Sequence, residues 1–198
     1  MLTYNELATL LEDGQLEAEL AALKRQSSQE LPLLQELNVL EFAVLVLLTP
    51  AVGIALAQGN ISLFEELSLQ RKIKRLLQDR VEDMYKVLKS MLPFFAQYQD
   101  TYYQFIGKLI FNTFEKNPLF LEGLQKQLPT HSLALNLLHA PWILVKLLSF
   151  LFLEEDEQLT APPTFSAAEF EKIVEIGRKT GISKLPLFEQ FCNQITVK

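Results

Sequence analysis

Residues 39–57 read Val39-Leu40-Glu41-Phe42-Ala43-Val44-Leu45-Val46-Leu47-Leu48-Thr49-Pro50-Ala51-Val52-Gly53-Ile54-Ala55-Leu56-Ala57, and only Glu41 and Thr49 are polar. The run approaches the roughly 20 apolar residues that a membrane-spanning helix needs. Two features count against that use. Pro50 sits near its middle, where proline kinks or ends a helix, so a break or bend is expected near Thr49. No lysine, arginine, tryptophan or tyrosine flanks the run closely, so the usual interfacial anchors are missing. A helix apolar on every side is equally the enclosed central helix of a bundle. Ala51, Gly53, Ala55 and Ala57 are small enough to let neighbouring helices approach closely. The central-helix reading is preferred to insertion.

Working outward, the rest of the chain supplies the covering layer. Capping-box patterns at Thr3/Glu6, Ser62/Glu65 and Ser166/Glu169 each precede an apolar stripe at helical spacing. Asp13-Gly14 interrupts the first stripe, and Ser27-Ser28 is expected to end the second. Pro32 suits the first turn of a helix, and Gly59-Asn60 closes the central segment. Between Leu69 and Leu92 the apolar residues gather into one broad arc that also contains Arg80. A restart at Asp79, capped with Glu82, removes that conflict. Pro93 opens an aromatic helix that stops at Asn117-Pro118. Further helices are expected at 118–127, on both sides of His139-Ala140-Pro141, after Ser166 and after Pro186. Gly181 reads as a helix-ending glycine.

These elements predict an all-α, irregular multi-helix bundle packed around residues 42–57. Residues 1–153 form the body and residues 154–165 an acidic, Pro-rich linker. Residues 166–198 form a C-terminal helical pair docked on the body or on a partner. With 7 glycines in 198 residues, a fold built on tight hairpins is not expected.

The net charge is −6, and residues 1–60 carry two basic against eight acidic side chains. That balance argues against nucleic acid, whose binding relies on a concentrated basic face. Cys192 is the single cysteine, which excludes an intrachain disulfide and suits a reducing compartment. The start, Met1 to Glu6, has no positive region followed by an apolar stretch. A cytoplasmic location, or one peripheral to the cytoplasmic face of a membrane, is the expectation.

Three residue sets qualify as candidate sites. Arg71, Arg75, Lys86 and Lys89 share one face of a continuous helical projection and form a candidate surface for an anionic partner. Glu41 and Lys146 are the odd charges in two apolar stretches. Burying either alone costs several kcal/mol, so a buried ion pair between them is the sharpest structural expectation. Phe188, Phe191 and Ile195 line one face of the last helix and form a candidate interaction face. The stripe Phe95, Tyr98, Tyr102, Phe105 and Leu109 follows core spacing.

Chemistry is harder to find. His131 and His139 lack the Glu-x-x-His spacing of a di-iron site. No phosphate-cradling glycine loop, nucleophile elbow or dinucleotide fingerprint occurs. Glu154 to Glu157 are consecutive rather than held apart on a scaffold, as acid–base catalysis needs. No catalytic residue, metal ligand or cofactor is therefore assigned. The reading that remains is a non-catalytic helical interaction protein, an adaptor or regulator that binds another protein or a second copy. One alternative is a carrier of a lipid or pigment between the aromatic and central helices. The other is a membrane-associated protein.

Overall fold

The computed structural model describes residues 2–115, 142–153 and 162–198. The helices expected within 118–140, both histidines and the acidic run 154–157 lie outside the described residues. The chain is all-α. Its helices are α1 (Tyr4–Leu11), α2 (Gly14–Glu30), α3 (Val39–Ala55), α4 (Leu63–Leu76), α5 (Val81–Met91), α6 (Phe95–Glu115), α7 (Trp142–Phe152), α8 (Ala167–Thr180) and α9 (Pro186–Gln194). Short 3-10 turns occupy Pro32–Glu36, Leu56–Gln58, Leu92–Phe94 and Ile182–Lys184. Two-residue strands β1 (Thr164–Phe165) and β2 (Thr196–Val197) pair in parallel and tie the C-terminus to the segment entering α8.

Local hydrogen bonding sets the helix starts. The three expected capping boxes form, each with reciprocal side-chain to backbone bonds. A fourth opens α3. The Asn38 side chain accepts from Glu41 N, and the Glu41 carboxylate accepts from Asn38 N, both at 2.8 Å. Asp13 begins α2 rather than merely interrupting a stripe, its carboxylate accepting from Gln15 N and Leu16 N. Ser27 and Ser28 do not end that helix. Ser28 donates to the Lys24 carbonyl, and Ser27 accepts from the Tyr102 hydroxyl at 2.8 Å, so both hydroxyls are satisfied inside it. Pro32 opens a 3-10 turn and not an α-helix. The chain does break between Leu76 and Val81, but Arg80 is the capping position there and makes no side-chain capping bond.

α3 runs through Pro50 without a break. Proline has no N–H for the carbonyl four residues back, which here belongs to Val46. The Thr49 hydroxyl donates to that carbonyl at 2.6 Å. The neighbouring side chain thus supplies the missing donor, and both residues are fully buried. With its following 3-10 turn, the segment Val39–Gln58 is 20 residues, with an 18-residue window of mean hydropathy 2.3, long and apolar enough to cross a membrane by length and composition. Within the fold, 78% of that window is buried.

That burial comes from every side: α2, α4, α5, α6, α7 and α8 all pack on α3. The Phe42 ring meets Tyr102 of α6 edge-on, with centroids 5.9 Å apart. α8 lies along both α6 and α3. Its approach to α6 depends on Gly107, because a Cβ there would collide with the backbone carbonyl of Thr180. Lys179 then bridges Asp100 and Glu175 along this seam.

Replacing Thr49 by the isosteric valine should lower unfolding free energy by about 1–3 kcal/mol, the usual cost of leaving a buried polar group without its partner. In a Pro50→Ala background the backbone N–H returns to Val46, and the same substitution should cost clearly less. Denaturant melts of the four proteins test this. Equal losses in both backgrounds would show that the hydroxyl does not stand in for the missing donor.

Candidate functional site

The two odd charges do not pair with each other. Glu41 is 95% buried at the N-terminus of α3, where one oxygen completes the capping box and the other meets Arg80 at 3.1 Å. Arg80 can do this because the α4–α5 break puts it in a turn, with its side chain half exposed and also near Asp83. Lys146, midway along α7, bonds the Glu6 carboxylate of α1 and sits over the Trp142 ring. The expectation that each charge needs a partner holds, but the partners come from elements that sequence spacing does not reveal.

The basic set is divided between two helices. Arg71 and Arg75 lie on α4, Lys86 and Lys89 on α5, and the turn between destroys the single face of the continuous projection. Lys89 pairs with Glu66 at 3.1 Å and covers the Tyr85 ring. Arg71 and Lys86 are exposed, and Arg75 is half-buried.

Lys72, which looks like part of this basic cluster, is 98% buried. Its ammonium donates to the Phe150 carbonyl and, at 2.6 Å, to the Leu153 carbonyl, and lies over the Phe150 ring. These are C-terminal carbonyls of α7, which lack helical donors and carry the negative end of the helix dipole. Lys72 is therefore a buried cap delivered from another helix. The available signal was its spacing, four residues from both Ser68 and Leu76, which are buried too.

A cleft of about 340 Å³ opens above this cap. Ala51, Ile54 and Ala55 of α3 form one wall, Glu65, Ser68 and Leu69 of α4 a second, and Phe152 and Leu153 a third. The stretch from Pro162 to Phe165 and Glu169 add to the lining. The space lies away from the α3–α6 seam, the place expected for a carried ligand. That seam is filled by Phe42, Tyr102 and Tyr103, whose hydroxyl stands 3.5 Å from the Thr49 carbonyl.

Beside the cleft, α4 turns a second apolar set outward. Leu63 and Phe64 are each 73% exposed and Leu67 is 43% exposed. Placed at helical spacing, Leu63, Phe64, Leu67, Arg71 and Lys74 fall within an arc of about 100° that contains no acidic residue. Sequence reading missed this face because periodicity credits every apolar helix position to the core.

The C-terminal face is already occupied. Phe188 and Phe191 of α9 are buried against Phe152 of α7, with centroids 5.6 and 5.9 Å away, and Ile195 is half-buried on the same core. Gly177 leaves room for the Phe188 ring, which a Cβ would strike. These three residues close the fold and do not present a free contact surface. Burial also pushes the Cys192 thiol up to about 11, which keeps it protonated and a poor nucleophile. Among the described residues no three His, Cys, Asp or Glu side chains converge as metal ligands.

Two expectations follow. Lys72→Met should lower stability by about 2 kcal/mol, because the α7 carbonyls lose their donor while the space stays filled. Unchanged denaturation midpoints would remove Lys72 from its capping role. For Glu6, burial pushes the carboxyl up, but the Lys146 ammonium and the Thr3 donors outweigh it and hold the group below 4.5. A carboxyl lowered by folding contributes stability above its unfolded value and loses it as pH falls through the folded one. The gap in Tm between the native chain and Glu6→Gln should therefore narrow from about pH 6 to about pH 3. A constant gap would contradict this linkage.

Comparison with protein-family models, with curated proteins and with solved structures finds no match to this chain.

Proposed function

We propose that this chain is a non-catalytic interaction protein, an adaptor or regulator that binds another protein through the outward face of α4. The observation carrying this reading is the cluster Leu63, Phe64 and Leu67, exposed together on one helix. Burying such side chains against a partner is worth about 1.5–3 kcal/mol each, enough to anchor a contact. Arg71 and Lys74 continue the same face, so a partner surface combining apolar and acidic side chains fits it. The apolar face of α9 is consumed inside the fold, which leaves α4 as the better candidate of the two.

A double substitution, Phe64→Ser with Leu67→Ser, tests the reading, with Phe94→Ser as a control at an exposed aromatic residue elsewhere. Both variants should melt with the native chain, since exposed positions contribute little to stability. Quantitative co-purification from native cells should show a protein retained by the native chain and the control but lost by the double variant. That protein should then bind the purified chain directly. Loss of a dimer in the double variant would make the partner a second copy. Identical companions for all three proteins would refute the proposal. Phe64-dependent binding to anionic vesicles with no protein companion would refute it in favour of the membrane-associated alternative.

A further inference from the structure

We infer that the cleft above Lys72 is a binding site for a small apolar amine, a ligand with a compact alkyl or aryl body and a primary ammonium head. The inference is independent of the α4 interaction face. The volume of about 340 Å³ falls within the range of small-molecule sites, at its lower end. Space exists because Ala51 and Ala55, one turn apart on α3, carry only methyl groups where larger side chains would fill it. Leu69, Phe152 and Phe165 supply apolar walls for the ligand body.

The polar inventory selects the head group. Among the described residues, Lys72 has the only cationic head in the lining, and it is turned onto the Phe150 and Leu153 carbonyls. Glu65 and Glu169 each use one oxygen in a capping box, accepting from Ser62 N and Ser166 N at 2.6 Å. Their second oxygens have no hydrogen bond among the described residues. Ser68 is 92% buried, lines the cleft, and has no hydrogen bond among the described residues either. Among the described residues, what the cleft leaves open is therefore two carboxylate acceptors and the hydroxyls of Ser68 and Thr164.

Charge alone decides weakly. Two carboxylates and the C-terminal end of α7, worth about half a negative charge, face one ammonium and the N-terminal ends of α4 and α8, worth about half a positive charge each. The sum is slightly negative. Hydrogen bonding decides more strongly, because an ammonium offers three donors, and bonds between an ammonium and a carboxylate are about twice as strong as neutral ones. Among the described residues, a carboxylate head would meet these acceptors and no open donor beyond the Ser68 and Thr164 hydroxyls.

The test uses three probes with one body: 3-phenylpropylamine, 3-phenylpropanol and 3-phenylpropanoate, titrated into the full chain by calorimetry and NMR. The amine should bind at least about tenfold more tightly than the carboxylate, with the alcohol between them. Ala51→Leu should fill the cleft and abolish binding while the chain stays folded. The pair Glu65→Gln with Glu169→Gln keeps both capping boxes, because glutamine serves there as well. It should bring amine affinity down to that of the alcohol and leave the alcohol unchanged. Phe64→Ser with Leu67→Ser should leave amine binding intact, which separates this site from the interaction face. Carboxylate binding as tight as the amine, amine binding unaffected by Ala51→Leu or by the glutamine pair, or no binding of any probe at millimolar concentration would overturn the inference.

Discussion

α3 has no polar side to give to water, and the rest of the fold is arranged around that constraint. A 17-residue helix apolar on every face must be covered all round. Six of the described helices share the task, and they come from both ends of the chain: α2, α4, α5, α6, α7 and α8. The C-terminal pair is therefore part of the enclosure, with α8 against α3 and α6 and with Phe188 and Phe191 of α9 against Phe152 of α7. Enclosure also makes every polar atom inside expensive. Pro50 leaves one carbonyl without its helical donor, and Thr49 answers it locally, so the helix continues where a proline usually stops one.

The legible part of this fold is the part written in local chemistry. Thr3/Glu6, Ser62/Glu65 and Ser166/Glu169 announce helix starts because the bonds that make them lie within four consecutive residues. Asn38/Glu41 is the same device. It was obscured because Glu41 stood out as the odd charge of an apolar run, which drew attention to its cost rather than to its task. The errors share one cause. Ser27-Ser28 and Thr49-Pro50 resemble breaks on local grounds, yet each is tolerated because a hydroxyl finds a partner: Tyr102 for Ser27, the Lys24 carbonyl for Ser28, the Val46 carbonyl for Thr49. The Tyr102 bond is tertiary and no window of sequence contains it.

Charges show the same division between what is local and what is not. Physical chemistry says that Glu41 and Lys146 each require a partner, and each has one. Choosing the partner requires knowing that the α4–α5 turn delivers Arg80 to the start of α3, and that α1 lies across α7. Lys72 was hidden more thoroughly, as one of four basic residues within a five-residue stretch. Its acceptors are 78 and 81 residues away. The cleft above it joins Ala51, Ser68, Phe152 and Phe165 from four separate segments, so no sequence motif could have marked it.

The two apolar helix faces, on α9 and on α4, look alike in sequence and differ in what the body offers them. Phe188 and Phe191 meet Phe152 and the gap left by Gly177, so α9 spends its one apolar arc inside the fold. On α4 the inner arc, Leu69, Ile73 and Leu76, is already committed to the core. A helix on the outside of a bundle can turn only one side inward. Its second apolar set, Leu63, Phe64 and Leu67, faces outward and is left exposed. The interaction reading proposed for that face follows from this geometry, and not from the absence of catalytic motifs with which the sequence began.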